Sequence, residues 1–328
     1  MNRREFVAGL GGTAGWPVVG RAQQGGRVRR IGVLIALDET DPEGKARYSG
    51  FAQGLAELGY GGNLDVRWAA DADRMRMSAK ELVALQPDVI LAMGTTATAA
   101  LQRETLTIPI VFAAIGDPVG DGFVAGLPRP GGNLTGFIST EASFGGKLLE
   151  LLMEIAPGLN RVAAMFNPDS EPGGGAYYLT AFEAASRSLK VAPITAPIHS
   201  DAEIEAVITS LGREPGGGLV VMPDAFTISH RAPIILLAAR SNVPAVYFIS
   251  EFVRDGGLLS YGTDRVDIAR RSASYVVRIL RGEKPSDLPV QLVQLPVKFQ
   301  MAINLKTAKA LGLTVPQSIL LRADEVIE

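Results

Sequence analysis

The stretch Asp88-Val89-Ile90-Leu91-Ala92-Met93-Gly94-Thr95-Thr96-Ala97 reads as a strand that opens directly into a helix. Its apolar run has no period-two alternation, which suits a strand covered on both faces. Gly94 marks the turn, a helical pattern continues to Glu104, and Ile110-Val111-Phe112-Ala113 supplies the next strand. Towards the N-terminus, a helix is predicted over 75–85 and is stopped by Pro87. Before it come a strand over 64–68 and a helix over 45–58, with Phe51, Leu55 and Leu58 on one face and Gly59 as its C′ residue. The strand Ile31-Gly32-Val33-Leu34-Ile35 opens the series. Strands alternating with helices predict a doubly wound parallel sheet, whose right-handed crossovers put all strand C-termini along one edge.

The series breaks at the turn-rich Pro128-Arg129-Pro130-Gly131-Gly132-Asn133 and then restarts. A strand over 134–138 leads to a helix over 146–155, and a second alternation begins at Arg161-Val162-Ala163-Ala164-Met165-Phe166. Its later strands are predicted over 191–196, 218–222, 245–248 and 258–260, with helices over 176–189, 202–211, 229–241 and 264–281. The expected fold is α/β, with two doubly wound parallel-sheet lobes joined by a hinge and a crossover near 136–139.

The bulk numbers fit this reading. A chain of 328 residues with 47% hydrophobic content suggests about two domains and ample core. The formal net charge of −2 leaves no basic excess for a phosphate backbone, so no nucleic-acid partner is expected. The absence of cysteine excludes disulfides, thiolate metal sites, thiol catalysis and a lipid-anchored N-terminal cysteine. With only His199 and His230 as imidazoles, a three-histidine metal site cannot be built. No cofactor and no metal enters the reading.

The N-terminus reads as an address. Arg3 and Arg4 precede an apolar stretch over 7–19, and Gly20-Arg21-Ala22 places small residues at the −3 and −1 positions of a cleavage site. Residues 1–22 are therefore expected to be a cleavable signal peptide, which implies a periplasmic protein. The Arg-Arg pair before Phe6 fits the twin-arginine route and equally an ordinary secretory signal. The apolar run is too short to span a bilayer. Gly9, Gly11 and Gly15 imitate a dinucleotide-binding pattern, but no strand precedes them. Removing the segment takes away three arginines and one glutamate, which moves the net charge from −2 to −4. No later run is long and apolar enough to span a membrane.

Six stretches carry a family resemblance: Phe51-x-x-Gly54-Leu55-x-x-Leu58-Gly59-Tyr60, Pro87-Asp88-Val89-Ile90, Pro109-Ile110-Val111-Phe112, Asp117-Pro118-Val119-Gly120, Pro130-Gly131-Gly132-Asn133-Leu134-Thr135-Gly136 and Ile303-Asn304-Leu305-Lys306-Thr307-Ala308. The chain resembles the TrpX-like, tryptophan-binding-protein-like group of ABC transporter substrate-binding proteins, which are type I periplasmic binding proteins. The last three stretches are specific together, and the first three are generic for α/β proteins. The resemblance implies two lobes joined by three crossovers, a small ligand between them at the strand C-termini, and docking on an inner-membrane permease energised by its ATPase. On that pattern lobe 1 comprises 28–137 plus 264–290 and lobe 2 comprises 139–262 plus 296–328, in a monomer. Members that take amino acids often carry an Asp just before the serine matching Ser250. Here Ile249 stands there and Glu251 follows, which leaves the ligand open beyond amino acids.

Residues at strand C-termini are the ligand-binding candidates. Thr95, Thr96 and Ala97 begin a helix whose free N–H groups and dipole suit a carboxylate or phosphate, although the same residues serve equally as a plain N-cap. Asp117 could accept from an ammonium or hydroxyl, or merely shape its Asp-Pro-Val turn; Asp38 is in the same class. In the second lobe Asn167 and Ser170 precede Gly173-Gly174-Gly175, a loop that could close over the site. Tyr177 and Tyr178 open the next helix. Asp224, Phe226 and Thr227 follow one strand, with Phe226 as the apolar wall, and Ser250 and Glu251 follow the next. Tyr261 sits where the chain returns to the first lobe, as ligand contact or hinge support.

The competing classes are an enzyme and a stand-alone ligand sensor. Paired acids such as Asp117 and Glu251 could transfer protons if held close. No Gly-x-x-x-x-Gly-Lys-Ser/Thr loop and no Gly-x-Ser-x-Gly elbow occurs. The sequence therefore favours a receptor that binds by hinge closure.

Overall fold

The computed structural model describes residues 29–170, 176–292 and 299–328. The expected signal peptide and the glycine loop 173–175 lie outside the described residues. Two sheets form. The first contains β1 (Arg30–Ile35), β2 (Asn63–Trp68), β3 (Val89–Met93), β4 (Ile110–Ile115), β5 (Leu134–Ile138) and β11 (Gln291–Leu292), in the order β11-β5-β4-β3-β1-β2. The second contains β6 (Arg161–Phe166), β7 (Ala192–Pro197), β8 (Gly217–Val221), β9 (Ala245–Tyr247), β10 (Leu259–Thr263), β12 (Phe299–Asn304) and β13 (Glu325–Ile327), in the order β13-β12-β10-β9-β8-β6-β7.

The two sheets repeat one winding. In each, the chain lays down a first strand, pairs a second on one side, then crosses to the other side for the third. The reversal falls between β1 and β3 in the first lobe and between β6 and β8 in the second. A doubly wound sheet opens a crevice at the strand C-termini where its order reverses. The apolar runs that predicted the strands are fully covered: β3, β4, β5 and β8 are buried at every position.

Twelve α-helices among the described residues accompany these sheets. α1 (Pro42–Glu57) starts earlier than the apolar periodicity suggested, because Asp41 caps it and Pro42 occupies its first turn. α2 (Ala72–Ala84) and α3 (Thr95–Glu104) complete the first-lobe alternation, followed by α4 (Phe144–Ile155), α5 (Ala176–Leu189) and α6 (Asp201–Gly212) on the second sheet. The expected helix over 229–241 is α8 (Arg231–Arg240); a short helix that was not expected, α7 (Ala225–Ser229), precedes it and meets it at His230. α9 (Ser250–Arg254), α10 (Arg265–Leu280), α11 (Leu305–Ala310) and α12 (Gln317–Arg322) complete the set.

The chain passes between the sheets after β5, after β10 and between β11 and β12. One pairing departs from the expected all-parallel arrangement: β12 runs antiparallel to β10, and β13, parallel to β12, shares its direction. The reason is topological. β10 runs towards the hinge, because α10 follows it into the first lobe, whereas β12 begins as the chain returns from that lobe and so runs away from it.

α10 packs on α1, and the contact is backbone-close. A Cβ on Gly54 would lie 2.3 Å from the Arg270 carbonyl oxygen and 3.0 Å from the Ala273 Cβ. This approach fixes the start of α10, and hence Arg265, against the first lobe. Gly54→Ala should lower unfolding stability by roughly 1–3 kcal/mol, the usual cost of overpacking a tight contact. Thermal unfolding of the variant beside the wild-type protein measures it.

Candidate functional site

Both switch points face the same cleft, of about 440 Å³ including its mouth. The first lobe contributes Ala36 and Leu37 after β1, Met93 to Thr96 around the β3–α3 turn, and Gly116 after β4. The second contributes Ser170 after β6 and Pro223, Asp224 and Ala225 after β8. Gly94 holds φ of +103°, a conformation that favours glycine, and no side chain caps α3. The first-turn N–H groups of α3 have no partners within their own helix, and its positive dipole end points to the lining.

Two arginines add to that positive end. Arg47 comes from α1 and Arg265 from the first position of α10, and both line the cleft. Arg47 is only 4% exposed, and its Nε donates to Glu43 at 2.6 Å. Its Nη2 is buried with no hydrogen-bond partner. A guanidinium nitrogen left unpaired in a low-dielectric site is costly, so the position suits an incoming acceptor. Arg265 lies with its guanidinium 4.9 Å from the centre of the Phe248 ring. Burial first, and then the Arg47 charge, lower it to about 10, which still leaves it charged at neutral pH.

Asp224 is the carboxyl of the opposite wall. Its Oδ1 accepts from Thr227 N at 2.6 Å and its Oδ2 from Asn167 N at 3.1 Å. Those bonds favour the ionised form, but burial outweighs them and pushes the group up to about 7. A cation brought beside it would restore ionisation. Tyr178 also lines the cleft, with its hydroxyl 2.7 Å from Thr140 Oγ1, and Ile228 closes the apolar side.

The sequence-predicted residues separate into groups. Thr95, Thr96, Ser170 and Asp224 converge on the cleft. Asn167 and Thr227 are buried and hold Asp224 from behind. Ala97 is packed into the first-lobe core. Asp38 lies exposed and accepts from Thr40 Oγ1 at 2.7 Å, and Asp117 folds back on Gly120 N at 2.8 Å, forming its turn. Phe226 does not appear in the lining; it stacks on His230, with ring centres 3.9 Å apart, and Ile228 occupies the apolar place instead. Tyr261 stacks between Phe299 and Phe144, at 5.0 and 6.1 Å. Ser250 and Glu251 line a neighbouring interlobe cavity from which Asp117 is absent, so the acid pair Asp117–Glu251 shares no site there. Arg47 and Arg265 were missed by sequence reasoning. Arg47 sits four residues before Phe51 on the apolar stripe of α1, and a charge on that stripe was the available signal.

The model of the family described as ABC transporter substrate binding protein matches residues 30–327. A tyrosine-binding protein of Clostridioides difficile (strain R20291) is 25% identical over 273 residues, covering 80% of this chain and 76% of the relative. The crystal structure of an ABC domain in complex with L-Trp, from Streptococcus pneumonia, superposes with a TM-score of 0.83 at 28% identity, covering 91% of this chain and 99% of that one. The ligand-free, open structure of CD0873, a substrate binding protein with adhesive properties from Clostridium difficile, gives 0.66 at 25% identity, covering 92% and 99%.

The raised Asp224 carboxyl has a consequence for the ligand-free protein. Its folded value exceeds the unfolded one, so the folded state binds the extra proton. The associated stability is complete below about pH 4 and is lost as pH rises towards 7. The stability of the wild type minus that of Asp224→Asn should therefore fall across this window, by roughly 3–4 kcal/mol at most. Urea unfolding at pH 4.5 and pH 7.5 tests it, and a difference that does not change with pH removes the assignment.

Proposed function

The chain belongs to the ABC transporter substrate-binding protein family, and we propose that it is an importer receptor that closes its two lobes on an amino-acid-like zwitterion. The observation that carries the reading is the unpaired Nη2 of Arg47, buried in a cleft with the N-terminus of α3 and facing Asp224 across the lobes. A carboxylate would bind the α3 N–H groups, the Thr96 hydroxyl and Arg47, where charge-assisted hydrogen bonds are strong. An ammonium would lie against Asp224 and hold it ionised. Leu37, Met93 and Ile228 would receive the side chain.

The relatives support this choice, since one is a tyrosine-binding protein and another was crystallised with L-Trp. The chain also superposes better on the L-Trp complex than on the open, ligand-free relative of similar identity and coverage, which favours a closed arrangement here. ABC substrate-binding proteins act outside the cytoplasm. For this chain we infer the periplasm, delivery through a cleaved leader at 1–22, a monomeric state and docking on a membrane permease. Closure is driven by the ligand's higher affinity for the closed state than for the open one, and this reading involves no chemical step.

Calorimetry with L-tyrosine and L-tryptophan tests the reading. The wild type should bind at least one of them stoichiometrically and release it unchanged. Removing the ligand carboxylate, as in tyramine or tryptamine, should weaken wild-type binding by about 30-fold or more. Arg47→Met should show a similar loss for the amino acid and a much smaller further loss for the amine. Equal carboxylate dependence in the wild type and the variant would remove Arg47 from the site.

A further inference from the structure

Beside the cleft, and sharing Arg265 with it, lies a second interlobe cavity, of about 560 Å³ including its open mouth. Glu43, from the first turn of α1, and Glu251, from the first turn of α9, both line it from opposite lobes. Their carboxyl groups meet across the lobe boundary. Two carboxylates held together repel, so the pair is favoured when one of them carries a proton.

The surroundings identify the proton's owner. Glu43 is buried and accepts from Arg47 on its own helix, and Arg265 of α10 adds a second positive charge. These partners overcome its burial and hold it below the ordinary glutamate range. Glu251 faces the Glu43 charge from α1 and has Arg254 on its own helix at 3.1 Å. Arg254 is in turn engaged by Glu325 of β13 at 2.8 Å. Burial first, and then Glu43, push Glu251 up to about 7. Two other polar groups of the cavity serve each other and the helix: Asp264 accepts from Gln300 Nε2 at 3.1 Å and caps α10 through Asp267 N.

We propose that Glu43 and Glu251 form a proton-binding site at the lobe interface, so that closing the cleft takes up one proton on Glu251. This goes beyond ligand identity but rests on the reading that the lobes open and close. In the open form the two carboxyls are apart and Glu251 titrates near its ordinary value; in the closed form it titrates near neutrality. The closed state is therefore most favoured below the ordinary glutamate range. It loses about tenfold per pH unit as pH rises from there towards 7, and changes little above. Asp224, also raised by burial, acts with the same sign in the ligand-free protein, so a comparison of variants isolates the Glu251 share.

The chain has no cysteine, so spin labels attach only where introduced. Lys80→Cys on α2 and Thr209→Cys on α6 are exposed positions, one on each lobe. Interlobe distances measured by electron–electron double resonance between pH 5 and 8 give the closed-to-open ratio without ligand. Between pH 5 and 7, the slope of its logarithm against pH should be smaller by about one in Glu251→Gln than in the wild type. Glu43→Gln should lose a smaller part of it, because burial still raises Glu251 without the Glu43 charge. An unchanged slope in both variants, or no pH dependence in the wild type, overturns the proposal. L-tryptophan added in parallel separates the two readings. Shortening of the distance by L-tryptophan while pH moves nothing sinks the proton site alone, and a distance that neither changes sinks both. The same shortening in Glu251→Gln shows that the variant remains folded.

Discussion

Charge placed between two apolar bodies is the constraint around which this molecule is arranged. Arg47, Arg265, Glu43, Glu251 and Asp224 all sit where the lobes meet, largely removed from water. An ionised group there costs several kcal/mol unless partners replace its hydration. Three solutions are visible side by side. Glu43 is matched by arginines, Glu251 is pushed towards neutrality, and Asp224 is held by two backbone N–H groups that fall short of offsetting its burial. The Arg47 Nη2 has none of these remedies, which makes the interface incomplete in a directional way.

The fold explains why these groups meet. Each lobe delivers side chains at its own switch point, and the two switch points face one another across the hinge. α10 bridges both requirements, because its body packs on α1 while its first residue, Arg265, reaches the interface between the cleft and the second cavity. The charged lining of the cleft thus comes from helices that the crossovers place, in addition to the strand ends that the winding rule predicts.

Much of the architecture was legible in the residues, and the reasons are local. Uniform apolar runs made buried parallel strands readable, and the chain leaves the first sheet after Ile138, inside the stretch 136–139 where a crossover was expected. The family stretches also have local explanations. Asn133 donates to the Ile108 carbonyl at 2.7 Å, and Asn304 caps α11 while Thr307 ties that helix to Gly256 at 2.8 Å. What stayed hidden depended on tertiary context. β12 runs antiparallel because the chain enters it on returning from the first lobe, whereas β10 leads out towards that lobe. Phe226 turned to His230 because Asp224 caps a short helix that rotates it away from the cleft. Arg265 has no sequence signal at all, since only the packing of α10 brings it to the interface.

Asp41 splits its two oxygens between two tasks. Oδ1 accepts from Glu43 N and Gly44 N at the head of α1, and Oδ2 accepts from Arg231 Nη1 of the opposite lobe at 2.8 Å. When the lobes part, the second bond is surrendered while the first remains. The carboxylate is then left at the positive end of a helix, where it is comfortable without its arginine. Gaping therefore need not fray the element it starts from, and each half can swing as an intact block through repeated cycles of capture and delivery.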